Sequence, residues 1–297
     1  MNVVNKLDHV RKIKNRKIKS VAYRINKLLL NSLYPVSTRF KYGIDEKSDI
    51  IISLTSFPAR INTVWITIQT LLNQTVKPKK LILWLAEEQF INKEKDLPHK
   101  LLKQKEYGLT IKFCDDLRPH KKYFYAMQQY PKCAIITVDD DIFYPETLVE
   151  ELQKLSKKYP DTVCCTWAHE ITFENGEIAP YGQWSYGVNG YEPNMKLIPI
   201  GCGGVLYPAS ILPMETYDKE TIKKICLNSD DLWLKGMSVL NDVPAVRIRK
   251  EPLIYYSLVN TKSSGLYVTN IGQDRNDIAL RKIIEIFPKV NEKLLYK

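Results

Sequence analysis

Four short apolar runs, at residues 49–55, 80–85, 109–113 and 133–138, alternate with segments of helical spacing. This alternation limits the fold more than any other feature of the chain. Strands joined through a helix pair in parallel, because the crossover returns the chain to the same end of the sheet. Parallel strands are covered on both faces and so read as near-continuous apolar runs, as these do. Helical spacing at 64–72, a charged helical stretch near 87–106, a helix around 123–129 and another after Pro145 (Leu148, Leu152, Leu155) fill the gaps. Beyond Pro160 the chain changes to short strands and loops rich in Trp, Tyr, Gly and Pro, up to about residue 210. A helical segment near 218–240, a strand at 245–249 and a last helix at 277–287 complete the pattern. The fold expected is α/β, with a mixed, mostly parallel sheet flanked by helices. Residues 46–160 and 161–297 form its two halves, and residues 1–45 form an arm in front of them.

The fourth run ends in Asp139-Asp140-Asp141, followed by Ile142, Phe143, Tyr144 and Pro145. The carboxyl end of a parallel strand is the usual ligand edge of an α/β sheet, and adjacent carboxylates suit a hard cation. Capping the next helix would need only one of the three, and the others repel unless a cation or water separates them. If the strand continues that far, its period of two points Asp139 and Asp141 to one side and Asp140 to the other.

Four further groups carry chemistry. The turn after the first strand holds Thr55, Ser56 and Arg60, a set that suits a nucleotide and its phosphates but equally forms ordinary turns. Asp115, Asp116, Lys121 and Lys122 follow the third strand, where acids can meet a base or ribose and lysines a phosphate. A solvated loop is the plain alternative there. Gly201, Gly203 and Gly204 allow a close backbone approach to a ligand, although a tight structural turn needs them too. Their spacing is not that of a dinucleotide-binding loop, and no helix follows directly. Ser229, Asp230 and Asp231 open a helix, where one aspartate can cap and the other can act as a general base.

Hydrophobic residues make up 44% of the 297, which is enough for a large core and excludes a disordered chain. Eighteen tyrosines and five tryptophans serve either that core or sugar stacking. The six cysteines lack C-x-x-C spacing and four histidines are scattered, so zinc is disfavoured; buried thiols in a reducing, cytoplasmic setting are expected. The net charge of +11 is uneven: Lys6, Arg11, Lys12, Lys14, Arg16, Lys17, Lys19, Arg24 and Lys27 face a single acid, Asp8, within residues 1–28. Ile18, Val21, Ile25, Leu28 and Leu29 recur there at helical spacing. Such a helix either lies on the anionic inner face of the plasma membrane or packs its stripe on the main domain. No nucleic-acid-binding module follows it. No apolar run approaches the ~18 residues of a spanning helix, and the basic start lacks a signal-peptide core.

Taken together, residues 51–58, 121–125, 135–145, 201–208 and 230–233 resemble bacterial nucleotide-sugar glycosyltransferases of the GT-A fold, the family-2-like enzymes that build surface polysaccharide such as capsule. The resemblance spans roughly residues 48–280 and leaves the basic arm outside. It implies a DxD-type motif in which Asp141 binds Mn2+ or Mg2+ and Asp139 meets ribose or metal. It also implies a nucleotide-sugar donor, with UDP the commonest nucleotide, and a glycan or lipid-linked acceptor. Thr55, Ser56, Arg60, Asp115, Lys121, Lys122, Asp139, Asp140, Gly203 and Gly204 are the candidate donor contacts. Asp231, with Asp230 as the other choice, is the candidate base for direct, inverting displacement; the pair here is Asp-Asp where the family more commonly has Glu-Asp. His169, Trp184 and Trp233 are candidates for stacking on the acceptor, each equally able to be core. A retaining transferase on a similar fold would not need Asp231. A sugar nucleotidyltransferase is disfavoured by the absence of a Gly-rich, Arg- and Lys-bearing loop after the first strand, and a non-catalytic membrane-binding module would rest on the arm alone.

Overall fold

The computed structural model describes residues 10, 13–34, 43–248, 256–259 and 275–296. Its centre is a seven-stranded sheet built from β1 (Ile50–Thr55), β2 (Lys80–Ala86), β3 (Leu109–Cys114), β4 (Ala134–Thr137), β6 (Val163–Cys165), β11 (Val205–Tyr207) and β12 (Ala245–Arg247). Their order across the sheet is β12-β6-β11-β4-β1-β2-β3. Pairs β1/β2, β1/β4, β2/β3 and β6/β12 are parallel, whereas β11 runs antiparallel between β4 and β6. The expected α/β architecture is thus present, and both halves of the chain feed one sheet. Shorter strands lie outside it: β5 (Ile142–Phe143) pairs with β13 (Tyr256–Ser257), β7 (Ala168–Glu170) with β10 (Leu197–Pro199), and β8 (Phe173–Glu174) with β9 (Glu177–Ile178).

Alternation along each strand builds a core on each face. Ile52, Leu54, Ile136, Cys164, Leu206 and Val246 belong to one layer. Their neighbours Val205, Cys165 and Ala245 belong to another, and Ile51 and Ile135 to a third, smaller cluster. The first layer takes residues from α1 (Arg16–Leu33), α2 (Val64–Leu72) and α4 (Leu148–Lys158). The second takes residues from α3 (Lys121–Gln129), α5 (Asp230–Leu240), α6 (Arg275–Ile286) and α7 (Pro288–Tyr296). All six cysteines are unpaired, and Cys114, Cys164, Cys165 and Cys226 are buried among apolar neighbours.

Two expected helices are broken. Residues 87–106 form three short 3-10 turns and one helical turn at His99–Leu102, because Pro98 lacks an N–H and Asn92 and Asp96 bond to each other locally. The segment near 218–240 divides at Ser229, whose extended φ of −134° starts α5 afresh. The end of the expected strand at 249 lies outside the described residues, and so do Lys6, Arg11 and Lys12 of the arm.

Register places the site. Ile50 pairs with Ala134 and Ser53 with Thr137, so β1 and β4 end together and Ser56 emerges beside Asp139 and Asp140. Val205 pairs with Thr137 on the other side of β4, so the glycine turn that precedes β11 reaches the same edge.

Candidate active site

Four sequence segments converge on the carboxyl edge of β4. Asp139 donates its backbone N–H to the Tyr144 hydroxyl (2.9 Å), and that hydroxyl donates to the Cys202 carbonyl (3.0 Å). Tyr144 therefore ties the aspartate loop to the glycine turn. Asp140 turns inward and is 6% exposed. It accepts from Ser56 Oγ (2.6 Å) and Arg60 Nη1 (2.6 Å), while Thr67 Oγ1 donates to its carbonyl (3.0 Å). Arg60 Nη2 also lies 3.3 Å from Asp141. Burial pushes the Asp140 carboxyl upward, against the pull of Arg60 and Ser56. Ser56, Arg60 and Asp140 thus form a support beneath the loop rather than a free donor surface.

On the other side, Lys122 Nζ lies 2.9 Å from Asp139 Oδ1 and 2.9 Å from Asp230 Oδ2. Lys122 is 4% exposed. Burial alone would strip its proton, but Asp139, Asp230 and Asp231 raise it well above the usual ammonium range. The sequence offered Lys122, with Lys121, as a residue able to meet a donor phosphate; in the structure it is the counter-ion that joins the two acidic groups. Asp230 is buried. Desolvation would raise it, yet the Lys122 ammonium holds it below the ordinary carboxylate value. His120 itself is fully buried and pushed down to about 4, chiefly by burial. It is the neutral imidazole that donates from Nε2 to the Cys226 carbonyl (2.8 Å) and accepts from Tyr123 at Nδ1 (2.8 Å).

Asp231 is treated differently. It keeps some solvent access, and the Gly201 N–H donates to its Oδ2 (3.1 Å). Burial and then the neighbouring charge of Asp230 push its carboxyl upward. Its affinity for a proton is therefore higher than that of Asp230, although both open the same helix.

Gly201 is a residue the sequence did not single out among the glycines. A Cβ there would sit 3.0 Å from Asp231 Oδ1, 3.0 Å from Lys122 Nζ and 3.6 Å from Asp139 Oδ1. Gly204 has a left-handed φ of +91°, and a Cβ on it would meet Leu148. The Gly203 carbonyl accepts from Thr166 Oγ1 (2.6 Å). Those two shape the turn; Gly201 approaches the chemistry. Only proximity in the fold could have distinguished them. The same holds for Tyr144, which reads in the sequence as one aromatic among many.

The remaining candidates fall outside this cluster. Lys121 is buried and paired with Asp116, which burial would raise and Lys121 pulls down, while the exposed Asp115 pairs with Lys219. Thr55 donates its hydroxyl to the Trp84 carbonyl (2.9 Å). Trp233 is fully buried and donates from Nε1 to the Thr216 carbonyl (3.0 Å), so it is core and cannot stack on an acceptor. Trp184 is 3% exposed and donates from Nε1 to Ala179 (2.8 Å), which also makes it a packing residue. His169 is 8% exposed and lies 4.4 Å, ring to ring and tilted by 54°, from Tyr186, which is 48% exposed. Tyr186 is the more accessible ring of the two.

Fit to a divalent cation rests on the donor set. Asp139 and Asp141 offer hard carboxylate oxygens, with side chains 35% and 17% exposed. Among the described residues no three acidic, histidine or cysteine groups cluster to cage a metal. Mg2+ and Mn2+ are commonly held by one or two carboxylates, with water and substrate phosphates completing the shell. The residues fit such a half-site.

No family model matches the chain, and no curated protein does. Among solved structures, a mannosyltransferase from Pyrobaculum calidifontis in complex with GDP-mannose and Mn2+ is similar, with a TM-score of 0.47 and 9% identity, over 93% of this chain and 77% of that one.

Proposed function

We propose that the protein is a GT-A-type glycosyltransferase that moves a sugar from a nucleoside-diphosphate donor, a UDP-sugar first, to an acceptor hydroxyl with inversion. The acceptor class is a glycan or a lipid-linked glycan, as in surface polysaccharide assembly. One observation carries the reading. A carboxylate of raised proton affinity, Asp231, is oriented by the Gly201 N–H and sits across Lys122 from Asp139 at the end of β4.

Asp231 accepts the proton of the attacking hydroxyl, and its raised proton affinity brings its base strength nearer to neutral pH. The Gly201 N–H fixes which oxygen faces the acceptor. Lys122 holds Asp230 below the ordinary carboxylate value and ties it to Asp139, so that the acceptor and donor sides of the site are built on one cation. Asp139 and Asp141 would hold a divalent cation, whose charge offsets that of a departing diphosphate. Ser56 and Arg60 keep Asp140 away from it by pinning that carboxylate beneath the loop.

The test is a donor screen: nucleoside-diphosphate release from UDP-, GDP- and dTDP-sugars, with and without Mn2+, for wild type and Asp141→Asn. Metal-dependent release that Asp141→Asn abolishes is expected. Release by Asp141→Asn at the wild-type rate, or none from any donor, would remove the reading. Product NMR showing a retained anomeric configuration would leave a transferase but take the base role from Asp231.

A further inference from the structure

Helix α1 is mounted with its apolar side facing out. Ile18, Val21, Ile25, Leu28, Leu29 and Leu33 are 58%, 57%, 52%, 61%, 43% and 53% exposed. At 3.6 residues per turn they share one arc of about 140°. The face turned to the protein buries one aliphatic residue, Leu30, and is otherwise aromatic and polar. Tyr23 stacks on Tyr256 at 5.1 Å, Asn26 Nδ2 donates to the Tyr256 hydroxyl (3.2 Å), and Lys27 Nζ donates to Ser257 Oγ (2.7 Å). Asn31 Oδ1 accepts from the Val259 N–H (3.0 Å). A surface helix ordinarily buries its apolar stripe, so this arrangement is the reverse of plain packing.

The charge pattern names the occupant. No acidic residue occurs between Asp8 and Asp45. Lys17 and Arg24 border the stripe beside Leu28, and Lys19 borders it beside Leu33. Arg16, Lys17 and Lys19 stand in the first turns, where the helix dipole disfavours cations, and Asn15 alone caps the N–H groups there (3.0 and 3.3 Å). These cations therefore do not serve the helix. A second copy of α1 would bring the same cations against themselves. A nucleic acid would use the cations and leave the stripe in water. An apolar stripe flanked by lysine and arginine on one helix matches a bilayer interface with anionic headgroups.

We propose that α1 docks the protein on an anionic bilayer surface, with Ile18, Val21, Ile25, Leu28, Leu29 and Leu33 inserted at the headgroup boundary. The site is close by along the chain. Tyr256 and Ser257, which hold α1, form the strand paired with β5 directly after the aspartate triplet, and the Leu258 N–H donates to the Asp141 carbonyl (2.7 Å). A bilayer-held α1 thus sits one strand from Asp141, which, resting on the transferase reading, favours a lipid-linked acceptor over a free glycan.

Co-sedimentation of the full chain with phosphatidylcholine vesicles, with and without phosphatidylglycerol, tests the docking in the absence of any donor or acceptor, so it stands or falls apart from the transferase reading. Each cation near an anionic surface adds roughly fivefold to partitioning, so Lys17→Glu with Arg24→Glu should lower binding to the anionic vesicles by at least about tenfold. Ile25→Asp with Leu28→Asp should lower it as far. Both positions are more than half exposed, so circular dichroism and melting should match wild type. Equal binding to neutral vesicles, or variants that bind like wild type, would overturn the proposal. So would a dimer in sedimentation velocity that Ile25→Asp with Leu28→Asp dissolves while wild type ignores vesicles.

Discussion

The aspartate triplet and the aspartate pair meet at one sheet edge yet are treated in opposite ways. In the triplet every carboxylate faces a cation: Lys122 for Asp139, Arg60 for Asp140 and Asp141. In the pair only Asp230 does, and Asp231 is left with a backbone N–H from Gly201. Asp230, paired with Lys122, is held below the ordinary carboxylate value and suits a structural role. Asp231, buried beside the charge of Asp230, gains proton affinity and suits proton transfer. How cations are distributed, more than how many acids there are, separates the roles.

The sharpest way to break this contrast is Asp231→Asn. The Gly201 bond has a partner either way, so donor binding by calorimetry should be unchanged while turnover falls by about 10²- to 10⁴-fold. If Asp230→Asn shows that loss instead, the roles are exchanged. The pH dependence adds a check. Because Asp231 is raised in the fold, turnover should climb as pH rises through that raised value. The folded state also binds more protons than the unfolded one there. The stabilising contribution is therefore complete below the ordinary carboxylate value and is lost as pH rises through the raised one. Asp231→Asn should flatten both profiles, read as a rate series and as denaturation midpoints.

Next in size is Lys122→Met, which leaves Asp139 and Asp230 buried or half-buried without their shared cation. A loss of about 3–5 kcal/mol in urea unfolding is expected, partly restored by adding Asp230→Asn. A loss well below that range would show that the pair holds its place without the lysine.

Lys235 is the internal control. It lies one turn after Asp231 on α5, is 4% exposed and has no hydrogen-bond partner among the described residues, and burial lowers it to about 7. Lys235→Met should stabilise the protein by about 1–3 kcal/mol. Between about 7 and the ordinary 10.5 the unfolded state binds the extra proton, so wild-type stability rises with pH in that window and the variant should lack the rise.

The smallest effect belongs to Gly201→Ala. The new Cβ would press on Asp231 and Lys122 at 3.0 Å and shift them by tenths of an ångström. Turnover should drop by roughly tenfold while the melting temperature stays near wild type. An unfolded variant would instead make Gly201 a folding residue.

Much of this was legible in the residues. The four apolar runs, the triplet at the end of the fourth and the acidic pair opening a helix all stand where local periodicity and turn chemistry put them, because strand period, helix period and capping act over a few residues. β4 ends at Thr137, before the triplet, so the turn of Asp140 away from Asp139 is set by the loop and its bonds to Ser56 and Arg60 and not by strand period. Local rules could not show that β11 enters antiparallel between β4 and β6, and that insertion brings Gly201 to the triplet. They could not tell Gly201 from Gly203 and Gly204, or separate the core residue Trp233 from the more accessible Tyr186. Nor could they show that Lys122 would meet two carboxylates in place of a phosphate, since charge pairing depends on distance in space and not on spacing in the chain. For α1, the sequence determined an amphipathic basic helix, and the tertiary structure decided which face looks outward: Tyr256 and Ser257 offer aromatic and polar partners, so the face carrying Leu30, Tyr23, Asn26 and Lys27 docks and the stripe from Ile18 to Leu33 remains exposed.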